Sequence, residues 1–111
     1  MPDVIEQAKR IEYCSRELLK LVPKLHDTVM ERAKSESAYD KAMMIATVKL
    51  DEGSKKYRAD EVRLMAKGMC EKEKERMILG ECSYKALLSE IEVHKAIMSG
   101  MQSIFRHLDA T

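Results

Sequence analysis

From Met77 to Leu108 the apolar side chains keep one phase. Met77, Gly80, Tyr84, Leu87, Ile91, His94, Met98, Met101, Phe105 and Leu108 step alternately by three and four residues, the repeat of one helix laid along another. A strand would bury every second residue, so this spacing excludes it. No proline interrupts the stretch, and it opens with the alternating charges Glu71-Lys72-Glu73-Lys74-Glu75-Arg76, which suit a solvated helix. The pattern predicts a helix over about 70–108, roughly 57 Å long at about 1.5 Å per residue. Gly80 lies in the seam, where a glycine costs a helix about 1 kcal/mol against alanine. Close approach of a neighbouring backbone would account for it.

A second seam runs through the first half. Val4, Ala8, Ile11, Leu18, Val22, Leu25 and Val29 share one helical phase, with Ser15 as a polar member, and the stripe continues as Ala33, Tyr39, Met43, Ala46 and Leu50. Pro23 interrupts it and disfavours helix at Val22, while Thr28 and Glu31 have the spacing of a capping box that would restart a helix. Two readings follow, a single kinked helix over about 3–50 or a break near residues 23–27. The unbroken phase favours the first. Gly53 suits a left-handed position after the helix and Ser54 suits a helix N-cap. Val62, Met65, Ala66 and Met69 then predict a short helix over about 58–67, closed by Gly68.

The chain has 111 residues, enough for one domain, and its two prolines and four glycines leave little from which to build the turns of a sheet. The expected fold is all-α, an extended antiparallel helical hairpin, coiled-coil-like, with a short connecting helix. Ile78, Leu79, Leu88, Ile97 and Ile104 lie beside the last seam. They widen its apolar face beyond what one partner helix covers, so the hairpin is expected to pack as an oligomeric helical bundle, a dimer or higher, with self as the first partner.

A net charge of +1 supplies no global attraction to nucleic acid or to an anionic membrane. No stretch approaches the roughly 20 apolar residues of a membrane span, and the polar start lacks the apolar core of a signal peptide. A cytoplasmic location without membrane partners is expected. Cys14, Cys70 and Cys82 are odd in number and lack metal-type spacing, so they read as reduced thiols. No nucleophile and base pair, glycine-rich phosphate loop or zinc motif occurs, so no catalytic, cofactor-binding or metal residues are assigned and no enzyme activity is expected.

Binding residues are a different matter. Met77, Tyr84, Leu87, Ile91, His94, Met98, Met101, Phe105 and Leu108 are interface candidates, His94 as a hydrogen-bonded residue that fixes register. Methionines among them give a soft, adaptable surface, though core packing uses the same residues. Lys55, Lys56, Arg58, Arg63 and Lys67 concentrate positive charge around the connecting helix and are candidate phosphate contacts. Interleaved Asp51, Glu52, Asp60 and Glu61 balance them, so direct nucleic-acid binding is the weaker reading.

The stretches Glu36-Ser37-Ala38-Tyr39-Asp40-Lys41-Ala42, Leu50-Asp51-Glu52-Gly53, Ala66-Lys67-Gly68, Glu75-Arg76 and Tyr84-Lys85-Ala86 resemble a family of small helical proteins from phages and prophages of Gram-positive bacteria. The likeness covers roughly residues 30–108 and rests on loose spacings of helix formers and glycines. It implies a long helix, a glycine turn, a short helix and a second long helix. Pro23 and the Ser54-Lys55-Lys56 turn depart from the pattern, which leaves the first helix's length and the turn geometry open. By resemblance, the chain is expected to be a phage accessory protein of DNA recombination or replication in the bacterial host cytoplasm, acting on a phage or host protein. The alternatives are an anti-CRISPR-like inhibitor that occludes a host defence nuclease, and a direct nucleic-acid binder.

Overall fold

The computed structural model describes residues 4–53 and 56–110. They form three helices, α1 (Val4–Glu52), α2 (Ala59–Met69) and α3 (Glu71–Ala110), with no strand among the described residues. The fold is an all-α helical hairpin with α2 as the connecting helix. Contacts divide it into two compact units, residues 1–27 with 84–111 and residues 28–83, where the sequence predicts one domain. Paired helices bury only what lies beside them, so contacts along them stay local.

α1 runs through Pro23 without a break. The proline removes one backbone donor and crowds the carbonyl of Leu19, a change worth about 3 kcal/mol in a helix interior. Buried Leu21 and half-buried Leu18 and Leu25 flank it and hold the helix from both sides. Thr28 and Glu31 therefore lie mid-helix and restart nothing.

Burial along α1 follows Gln7, Ile11, Cys14, Leu18, Leu21, Leu25, Thr28, Arg32, Ser35, Tyr39, Ala42 and Ala46, all buried or half-buried and all in strict steps of four and three. Ile11, Leu18, Leu25, Tyr39 and Ala46 of the predicted stripe belong to this seam. Val4, Ala8, Ser15, Val22, Val29 and Ala33 do not, and are exposed. From Ala8 onward the residue immediately before each of these takes the inward position: Gln7, Cys14, Leu21, Thr28 and Arg32. Continuity of phase outweighs local hydrophobicity, because a single shifted step would turn the rest of the helix outward.

α2 ends on Met69, so Gly68 is inside it and does not close it. Cys70 alone separates α2 from α3: its N–H donates to the Lys67 carbonyl at 3.2 Å, and its own carbonyl accepts from Lys74 N–H at 2.9 Å. One residue thus ends one helix and starts the next. Val62 and Ala66 face inward with Cys70, whereas Met65 and Met69 are exposed. Gly53 does not take the predicted left-handed conformation; no described residue does, and its N–H reaches the Leu50 carbonyl at 3.4 Å. Arg58, in extended backbone, precedes α2 without a side-chain cap, and the predicted N-cap Ser54 lies outside the described residues.

Candidate interaction surfaces

Within residues 28–83 the seam is made of small side chains. Ser35 is fully buried, and a Cβ placed on Gly80 would stand 3.0 Å from the Ser35 hydroxyl and 3.5 Å from the Arg32 Cα. The close packing predicted for Gly80 is thus present. Ser35 Oγ donates to the Arg32 carbonyl at 3.0 Å, which satisfies the hydroxyl inside its own helix. Ala46, Ala66 and Cys70 form the buried cluster, edged by Tyr39, Ala42, Met43 and Leu50. Burial, and secondarily Glu73, pushes the Cys70 thiol above its usual range, so it stays protonated.

Charged side chains brace the outside of this unit. Arg76 Nε donates to Glu31 Oε1 at 2.9 Å. That hydrogen bond, with the guanidinium charge, holds the Glu31 carboxyl below the usual carboxylate range. The Lys74 ammonium lies 5.0 Å from the centre of the Tyr39 ring.

Within residues 1–27 and 84–111 the buried members include Leu21, Leu87 and Gln7. Gln7 is 2% exposed and its Nε2 donates to the Met101 carbonyl at 3.2 Å. A buried amide is tolerable because a carbonyl of the facing helix accepts it. Cys14 Sγ lies 3.9 Å from Met101 Sδ.

The interface candidates of α3 all lie on its inner side. Leu87 is buried and Met77, Tyr84, Ile91, His94, Met98, Met101, Phe105 and Leu108 are half-buried. Of the phosphate candidates, Arg58 is held by Glu61 at 2.9 Å and Asp60 at 3.7 Å. Lys56, Arg63 and Lys67 are exposed, and Lys55 lies outside the described residues. Arg63 also edges an open cleft of about 460 Å³ with Met43, Thr47, Asp51, Tyr57 and Val62.

Both long helices carry apolar side chains on their outer faces; sequence reasoning named Leu79, Ile97 and Ile104 beside the α3 seam and missed Val93 and the row on α1. α1 carries exposed Leu19, Val22 and Val29 along one stripe, and α3 carries exposed Leu79, Val93, Ile97 and Ile104. The signal was available in the α1 stripe, which contains the residues wrongly placed in the seam. Among the described residues no three His, Cys, Asp or Glu side chains converge on a metal-sized site, and no helix is long and apolar enough to cross a membrane. No family model, curated protein or solved structure matches the chain.

Proposed function

We propose that this chain is a non-enzymatic, self-associating accessory protein that acts by binding other proteins along its helices, in the recombination or replication of phage DNA. The supporting observation is the distribution of apolar side chains. Among the described residues nineteen large hydrophobic side chains are exposed against six buried hydrophobic residues. Single exposed leucines are ordinary, but rows of them at helical spacing are what a partner helix or groove recognises. The phage setting draws on the resemblance of residues 30–108 and gives the partner its class.

Tagged protein expressed during phage infection tests the reading, with Val22→Glu as the matched control on the α1 stripe. A recombination or replication protein should co-purify with the unaltered chain and be lost with the variant while helicity is unchanged. Capture of a defence nuclease would refute the DNA-metabolism assignment. Recovery of nucleic acid without protein would refute the protein-contact reading itself.

A further inference from the structure

The last turns of α1 border an open cleft within residues 28–83. Met43, Thr47 and Asp51 follow one another at steps of four, so α1 presents all three along one side. Val62 and Arg63 come from α2 and Tyr57 from the connection before it, and together these residues line a volume of about 460 Å³. Clefts of roughly 300–1,000 Å³ are the size that takes small ligands.

The lining divides into an apolar part and two charges. Val62 is buried, and Met43 and Tyr57 are half-buried. Thr47 adds little polarity, because its Oγ1 donates to the Met43 carbonyl at 2.8 Å inside α1. Asp51 and Arg63 are exposed and opposite in sign, yet neither closes an ion pair with a described residue. In the same unit Glu31 closes on Arg76 and Glu61 on Arg58, each at 2.9 Å. Taken as a sphere, the cleft is about 10 Å across, so its two charges stand apart but within reach of one small molecule.

We propose that this cleft binds a free α-amino acid with an aromatic side chain. The ligand carboxylate meets the Arg63 guanidinium, its ammonium meets Asp51, and its ring lies on Met43 and Val62 beside Tyr57. A thioether and a second aromatic ring each attract an aromatic ring beyond the area they cover. A simple anion or cation would meet its own sign of charge in the same cleft, so the zwitterion is preferred to either. Both ion pairs remain solvated, which sets the affinity in the millimolar range. The site is separate from the protein contacts proposed above and stands or falls without them.

Three probes read out the two charges: phenylalanine, phenethylamine, which lacks the carboxylate, and 3-phenylpropionate, which lacks the ammonium. Each is titrated to about 20 mM into the full chain, followed by the amide signals of Met43, Thr47 and Val62 and the side-chain signal of Arg63. Phenylalanine should give saturating shifts there, and the two analogues should bind about threefold to fivefold more weakly. Arg63 and Asp51 are exposed, so Arg63→Gln and Asp51→Asn leave the fold intact. Arg63→Gln should bring phenylalanine down to the affinity of phenethylamine without weakening phenethylamine. Asp51→Asn should bring it down to that of 3-phenylpropionate without weakening 3-phenylpropionate. This crossed pattern separates charge recognition from a general loss of the cleft. Absence of saturating shifts overturns the site. Equal affinities for the three probes, or variants that weaken all three alike, overturn the zwitterion as its ligand.

Discussion

In the unit of residues 28–83 the seam closes on Ser35 against Gly80 and on Ala46 with Ala66 and Cys70, whereas residues 1–27 and 84–111 bury Leu21, Leu87 and Gln7. Small side chains bury little area each, so the first unit gains by bringing backbones close and has no slack for a larger residue. Bulky side chains hold backbones further apart, leaving room for an amide that must then find an acceptor, as Gln7 does on Met101. The same heptad therefore fails in different ways in its two units.

Gly80→Leu should show the largest effect. It forces four carbons into a place where one already meets Ser35 and Arg32, at a cost of about 2–3 kcal/mol. Leucine at Gly100, where a Cβ meets nothing within 4 Å, should not destabilise the dilute chain. Equal losses at the two sites in urea denaturation would abolish the contrast.

Gln7→Ala should come next, losing a hydrogen bond and leaving a void, about 1–2 kcal/mol together. Gln7→Leu keeps the volume and removes the polar demand, so stability should be retained while register loosens, visible as broader amide signals around Met101. A loss from leucine as large as from alanine would show that the amide itself, not its volume, holds the unit.

Gly100→Ala should raise stability by about 1 kcal/mol in dilute solution through helix propensity alone. Gly80→Ala gains the same propensity and loses it against Ser35 Oγ at 3.0 Å, so its net change should be near zero. Melting curves of the pair sharpen the comparison, since their difference measures the cost of the close approach.

The smallest effect should come from the exposed Glu31–Arg76 pair. Because the folded chain lowers the Glu31 pKa, its contribution is complete above the unfolded carboxylate value and is lost as pH falls through the folded one. Melting temperatures between pH 6 and pH 3 should fall slightly less for Glu31→Gln than for the unaltered chain. Identical pH profiles would show that solvent screens the pair completely.

The α3 seam was legible in full because all of its members except Gly80 and His94 are bulky and apolar or aromatic and keep one phase from Met77 to Leu108. α1 was legible only in part. Gln7, Thr28, Arg32 and Ser35 occupy inward positions beside Ala8, Val29, Ala33 and other less polar choices, and what selects them lies on the facing helix. No local signal announces that Gly80 wants a serine opposite or that a carbonyl awaits Gln7. The helix through Pro23 followed from phase, while the end of α2 did not, since Gly68 reads as a stop and Cys70 makes the join. The candidate surfaces were read on the inner side of α3 because hydrophobicity does not say which of two apolar stripes meets the partner helix.

Cys70 gives the junction of α2 and α3 a built-in clock. Its thiol is 2% exposed and held protonated, while Cys82 on the same helix as the junction leads into is exposed. A thiol reagent reaches Cys82 at once, but it modifies Cys70 only in the moments when the buried cluster parts. With labelling fast against reclosing the rate counts openings; with labelling slow it weighs the open population. The lifetime of the join can therefore be timed in the unmodified sequence, with Cys70 as the probe, Cys82 as its reference and half-buried Cys14 resolved from both by peptide mapping.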